Sequence, residues 1–147
     1  MPLARAAMHN LGEAVHVASW PTVREVHALA SRHYAFEGRC FVLAAGLVQH
    51  RDNLFEGLTL AGGDPEAKAL FDEIGGDLLN RGGSIIIGPD ARVIAGAGEG
   101  EETIHALLDL REIGEARAAL DVDGHYSRPD VFSLHVDRSP KDGVSWS

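Results

Sequence analysis

The chain predicts a two-layer α/β fold, a mixed sheet with helices on one face. Three observations carry this. Amphipathic helical patterns alternate with β-rich runs through most of the chain. Cys40–Val48 (CFVLAAGLV) is apolar throughout, as in a strand buried on both faces. RGGSIIIG and RVIAGA, β-rich and joined by Pro89-Asp90-Ala91, read as an antiparallel pair. The order α-β-α-β-(α)-β-β-β-α-tail makes half of a fold, whose strands need another sheet to close against.

The first helix runs from Pro2 to Leu11. Pro2 suits a first helical turn, where its absent N–H would have no partner anyway. Leu3, Ala6, Ala7 and Leu11 share one face. With no strand or cap ahead of this helix, the front of a larger fold is expected to be absent. Glu13–Trp20 alternates as a strand, Val15 and Val17 to one side and His16 and Ala18 to the other, and Pro21 ends it. Thr22 is the expected N-cap of the next helix, with Glu25 completing a capping box. That helix runs to about Glu37, with Val26, Leu29, Ala30, His33 and Phe36 on one side and Gly38 as its stop.

His50–Pro65 reads as loop. Asp64 caps a helix with Pro65 at its first position, continuing through EAKALFDEIGGDLLNR and weakened by Gly75-Gly76. After the strand pair, GAGEGEE is an exposed rim, Thr103–Asp109 a third strand and Asp109–Leu120 a helix. The tail DVDGHYSRPDVFSLHVDRS is extended, and residues 139–147 are expected to be polar and mobile.

With 147 residues, the chain suits one domain better than two. Its net charge of −9 argues against a nucleic-acid backbone or an anionic membrane as partner. A single cysteine, Cys40, excludes an internal disulfide and fits a reducing cytoplasm. No run approaches a membrane span, and no signal peptide is evident. The eight histidines make no His-x-x-x-His pair and no carboxylate–histidine cluster with ligand spacing, so no metal is expected. Gly96–Gly100 lacks the Gly-Lys-Ser/Thr ending of a phosphate loop and carries a glutamate. Only Lys68 and Lys141 are available for lysine chemistry, one on a predicted surface helix and one in the tail.

Four stretches, MPLARAAMHNLGEAVHVASWP, RHYAFEGRCFVLAAG, GGSIIIGPDARVIA and DVDGHYSRPDVF, resemble the nitrilase branch of the carbon–nitrogen hydrolase superfamily. The resemblance spans nearly the whole chain, in order. It implies an α-β-β-α sandwich, of which residues 1–138 are the C-terminal half. It also implies conversion of a nitrile and water to a carboxylic acid and ammonia, without a cofactor. In that family a Cys-Trp-Glu nucleophile segment precedes the counterpart of Met1, and the catalytic glutamate and lysine lie earlier still. No catalytic residue is therefore assigned here, and the chain is expected to be inactive alone. Cys40 matches a non-catalytic cysteine of the family, in an apolar run that raises a thiol's pKa. Trp20 and Pro21 are the substrate-binding candidates, at a strand end that approaches the family's cleft; the alternative is a tryptophan that only packs. His125, Tyr126 and Arg128 match a tail motif, expected to be pinned by hydrogen bonds. Helices Pro2–Leu11 and Val23–Glu37 correspond to those that pair subunits, implying a homo-oligomer. A nitrile partner is expected only with the N-terminal half present. The rival reading is a non-catalytic, oligomer-forming remnant.

Overall fold

The computed structural model describes residues 1–139 and residue 143; Lys141 and most of the predicted polar tail lie outside them. Within them, helix α1 (Pro2–Asn10) leads into β1 (Val15–Trp20), α2 (Glu25–Gly38) and β2 (Phe41–Gly46). A short strand β3 (Val48–His50) and helices α3 (Arg51–Leu60) and α4 (Pro65–Glu73) follow, then β4 (Leu78–Arg81), β5 (Ile85–Ile87), β6 (Val93–Gly96) and α5 (Arg111–Ala119). The main sheet has the order β1-β2-β5-β6, with β1 parallel to β2 and the other pairs antiparallel. Strands β3 and β4 form a separate pair. The α/β class and the mixed sheet are as predicted. No helix among the described residues is long and apolar enough to cross a membrane.

The parallel register pairs Val15 with Phe41, Val17 with Leu43 and Trp20 with Gly46. Paired residues share a face. One face carries Ala18, Trp20, Val42, Ala44, Ile85 and Ile87, packed against Tyr34 and Ala35 of α2. This is the core. The other carries Val15, Val17, Phe41, Leu43 and Ile86 in register. Phe41 and Ile86 are buried there, while Val15 and Val17 remain 38% and 62% exposed. The second face is thus open along β1.

Several local expectations are corrected. The side of α2 turned to the core is Ser31, Tyr34, Ala35 and Gly38, not the stripe of Val26, Leu29, Ala30, His33 and Phe36, which points outward. The stripe's apolar spacing is equally helical, so periodicity alone could not choose between the two sides. On α1 the buried side chain is His9, whereas Leu3 and Leu11 stay exposed. Thr22 is not the N-cap; its hydroxyl reaches the Gly82 carbonyl at 3.4 Å, and the Arg24 N–H instead donates to His27 Nδ1 at 3.2 Å. Gly38 is the last helical residue, and the left-handed turn falls on Arg39 (φ 48°). Gly38 is needed for space: a Cβ there would overlap the His9 ring.

The loop expected at 50–65 contains α3, an added helix with no buried residue. Helix α4 is capped by Asp64, whose carboxylate accepts from the Glu66 N–H at 2.9 Å, but it stops at Glu73 instead of continuing to Arg81. Gly75-Gly76 ends it, with Gly76 at φ +90°, and Leu78–Arg81 turns into β4. The apolar run of 40–48 breaks at Leu47 into β2 and β3. Residues 103–109 form no strand.

Candidate functional site

The site is best located from the parallel pair. In open α/β sheets, ligands gather beyond the C-terminal ends of parallel strands, where the chain leaves the sheet. Here those ends are Trp20 and Gly46, side by side in register. Beyond them the chain closes by main-chain contacts. The Val23 N–H donates to the Gly82 carbonyl at 2.8 Å, Gly82 N–H to the Leu47 carbonyl at 3.1 Å, and Leu47 N–H to the Trp20 carbonyl at 3.2 Å. The Gly46 N–H donates to Ser84 Oγ at 3.0 Å. A Cβ on Gly46 would overlap the Gly82 carbonyl, so three backbones meet where no side chain fits. Gly82 and Gly83 both take left-handed φ (+75° and +76°), which glycine alone adopts freely. Over this junction lies a cleft of about 340 Å³, lined by Thr22, Val23, Arg24, Arg81, Gly82, Gly83, Ala97, Gly98 and Glu99. Arg81 and Glu99 are paired across its rim at 2.7 Å.

Trp20 and Pro21 are not among the lining residues of this cleft; they come immediately before Thr22, which is one of them. The Trp20 indole N–H donates to buried Ser31 Oγ at 3.1 Å, and its ring lies 4.9 Å from that of His27. The indole therefore packs between sheet and α2 and fixes the wall from behind. Pro21 is exposed and turns the chain into the cleft-lining residues. The residue types that sequence reasoning passed over are Thr22, Gly82 and Gly83. The Arg-Gly-Gly run was their one visible signal.

The titratable groups gather at the opposite end of the same strands. Glu13 accepts from the Tyr34 hydroxyl at 2.6 Å and from His16 Nδ1 at 2.7 Å. The His16 ring stacks on Tyr34 at 4.0 Å, and the His9 ring meets it edge-on at 4.6 Å. Burial, and then the bond to Glu13, raise the Tyr34 pKa well above its ordinary value. Cys40 is fully buried beside this cluster. Burial, and then the Glu13 charge, push its thiol up to about 12. At neutral pH it is a thiol, the wrong form for a nucleophile. It also precedes Phe41 at the start of β2, about 20 Å of extended chain from Gly46.

Other candidates lie apart. Lys68 is exposed on α4. In the tail, Arg128 pairs with Asp130 at 2.7 Å, Tyr126 N–H donates to the Asp121 carbonyl at 3.1 Å, and the His125 and Tyr126 rings meet at 5.3 Å. These contacts lie within the tail itself, so they do not tie it to the sheet as expected, and none joins these side chains to Trp20. A second cleft of about 430 Å³ lies between α1 and the tail, with Ala6, Ala7, Leu11, Val122, Leu134 and Val136 in its walls. It is largely apolar and has no strand ends. Among the described residues no group of three metal-ligating side chains converges.

Comparison with known proteins shows what the chain is similar to. The carbon–nitrogen hydrolase family model matches residues 1–118. The chain is 41% identical over 145 residues to an aliphatic nitrilase of Sinorhizobium fredii, covering 98% of this chain and 44% of that protein. It is 39% identical over 155 residues to a bifunctional nitrilase/nitrile hydratase of Lupinus angustifolius, covering 100% and 41% respectively. A carbon–nitrogen hydrolase crystal structure from Helicobacter pylori superposes with a TM-score of 0.58 at 18% identity, over 82% of this chain and 40% of that one; at that identity the likeness is one of fold. The chain thus spans less than half the length of these relatives.

Proposed function

The chain belongs to the carbon–nitrogen hydrolase family, and we propose that it is the part of a nitrilase-type hydrolase that builds one wall of the binding cleft, with the reacting groups supplied from outside these 147 residues. One observation carries this reading: the cysteine of the chain is sealed at the end of the sheet opposite the cleft, with its thiol held protonated.

In the proposed reaction a thiolate attacks the nitrile carbon, a glutamate moves the proton and a lysine stabilises the developing charge; one water is taken up as ammonia leaves, and a second cleaves the thioester to the acid. This chain contributes no atom to bond making. Its part is shape. The Trp20–Ser31 bond and the Gly46–Gly82 contact hold the strand ends rigid, and Pro21 leads the chain into Thr22 and Val23, which form part of the wall for a compact substrate. The names borne by the relatives support a nitrile as substrate.

A second reading is favoured by the outward stripes. Leu3 and Leu11 of the first helical segment and Val26, Leu29 and Phe36 of α2 are exposed. Those apolar faces suit pairing with a second copy, in which case the chain is an oligomer-forming protein without catalysis.

Ammonia release from a short aliphatic nitrile tests both readings. The purified chain is expected to release none. Adding the part of the S. fredii nitrilase that this chain does not match is expected to restore hydrolysis. Release by the chain alone overturns the first reading, and assembly without restored hydrolysis favours the second.

A further inference from the structure

We propose that His9 is a proton-dependent clasp, which when charged holds helix α1 against α2 and closes the cleft between α1 and the tail. Neither His9 nor that cleft belongs to the site at Gly46 and Gly82, so the clasp is independent of the hydrolytic reading.

Helix α1 is anchored by a polar group. Its one buried side chain is His9, 3% exposed. Leu3, Met8 and Leu11 are all exposed. A surface helix is ordinarily held by an apolar stripe; this one is held by a titratable ring. The ring fills a close slot on α2. It meets Tyr34 edge-on at 4.6 Å, and Gly38 leaves it the space that a Cβ would take.

The slot does not satisfy the ring's nitrogens. Neither Nδ1 nor Nε2 of His9 has a hydrogen-bond partner among the described residues, and the same holds for the adjoining Arg5 Nε and Glu37 Oε2. All four atoms are buried. His9 Nε2 lies 3.5 Å and Arg5 Nε 3.2 Å from that Glu37 oxygen. A neutral imidazole leaves a lone pair in the slot with no donor aligned to it. A charged imidazole offers a donor at each nitrogen, and Glu37 is an acceptor already beside one of them.

The surrounding charges favour the proton. Helix α1 brings Arg5, and α2 brings Glu37 and Tyr34, whose hydroxyl is committed to Glu13 at 2.6 Å. Glu13 also accepts from His16 Nδ1 at 2.7 Å, so these two groups answer each other. Helix α5 and the segment after it bring Arg117, Asp121 and Asp123. Two cations, Arg5 and Arg117, face three anions, Glu37, Asp121 and Asp123, which leaves one negative charge; a proton on His9 cancels it. Burial opposes charging a ring. Here it is outweighed, because carboxylates face the ring from two segments and its nitrogens have no other partner. Asp123 links the clasp to the cleft. Burial raises its pKa, and the His9 charge lowers it. It lines the cleft of about 430 Å³ together with Ala6, Ala7 and Asn10 of α1. A charged His9 thus draws the two walls together, and a neutral one lets α1, which has no apolar anchor, move away.

The test follows the full 147-residue chain from about pH 5 to about pH 8, the range in which histidines change charge. Amide exchange is read as protection factors, which take out the intrinsic effect of pH on exchange. Protection of the amides of residues 5–10 is expected to fall about tenfold toward the alkaline end, as one proton is released. The His9 ring nitrogens, observed by NMR, lose that proton over the same range. Strand β5, with no titratable side chain, is the internal control. Cleft opening is read at Ala7→Cys, whose alkylation rate relative to a free cysteine peptide is expected to rise about tenfold. His9→Gln keeps a polar side chain without the charge and is expected to flatten both responses, whereas His16→Gln is expected to keep them. Should His9→Gln not fold, Glu37→Gln removes the facing charge at a part-exposed position and is expected to cut the response to about threefold or less. The proposal is overturned by flat protection in the native chain, by a His9 ring that keeps one charge state throughout, or by an unchanged Ala7→Cys rate. It is equally overturned by a full response in His9→Gln or Glu37→Gln, or by one that vanishes in His16→Gln.

Discussion

The two ends of the β1–β2 pair are made of the same strands and differ in what fills them. At the closed end, side chains do the packing: Glu13 receives two hydrogen bonds, the rings of His16 and His9 pack on Tyr34, and Cys40 is sealed beneath. Arg5 of α1 pairs with Glu37 at 3.2 Å and the His9 ring lies 3.5 Å from the same carboxylate, both without hydrogen-bond alignment. At the open end the backbones themselves meet, at Gly46, Gly82 and Val23, and leave a cleft. Cys40, Glu13 and His16, which one would choose for chemistry from a list of residues, sit packed at the end away from that cleft. The lesson is that reactive residue types mark a site only when the fold leaves space beside them.

The comparison can be broken most strongly at the open end. Gly46→Ala places a Cβ on the Gly82 carbonyl, and a backbone atom in a bonded junction cannot step aside. A loss of about 3 kcal/mol or more is expected in chemical denaturation, with the cleft-side amides of Val23 and Gly82 exchanging faster. A variant as stable as the parent would mean that the junction is looser than described.

At the closed end the equivalent change is smaller, and its sign depends on one neighbour. Gly38→Ala gains about 1 kcal/mol of helix propensity. The overlap with the His9 ring costs about 1–3 kcal/mol, so a net loss of about 1 kcal/mol is expected. In a His9→Ala background the obstacle is gone, and the same change should become stabilising. Equal effects in both backgrounds would remove His9 from the account of why residue 38 is glycine.

The last effect is absent at neutral pH and confined to an alkaline window. The folded Cys40 thiol is raised to about 12, above the value of about 8.5 for a free cysteine. Burial favours the neutral form, so its stabilising contribution is complete below the unfolded pKa. As pH rises from about 9 toward 12, the unfolded chain ionises first and that contribution is lost. Cys40→Ala is expected to flatten this part of the stability curve, and the native chain is expected to resist thiol alkylation at pH 8. Ready alkylation of the folded chain would contradict a sealed closed end.

Much of this architecture was legible in the residues. Pro21 ends β1, Asp64-Pro65 starts α4, and Pro89-Asp90-Ala91 turns the hairpin, because each imposes its geometry locally. Helix α3 escaped notice because it buries nothing and so carries no strong period. The largely apolar stretch at 103–109 suggested a strand, but a strand needs a neighbour and none is supplied among the described residues. The candidate site was half legible. Trp20 and Pro21 stand at the strand ends, but that the indole is tied back to Ser31 depends on a helix eleven residues on.

By itself, then, the sequence determined the α/β class, the start and end of most elements, the family, and the burial of Cys40, since all of these rest on local geometry or on runs of apolar residues. The tertiary structure alone decided which stripe of α2 faces inward, why Gly38 and Gly46 must be glycine, and where the cleft opens. Those outcomes depend on how closely two distant segments approach, and a distance between segments is not written in either one.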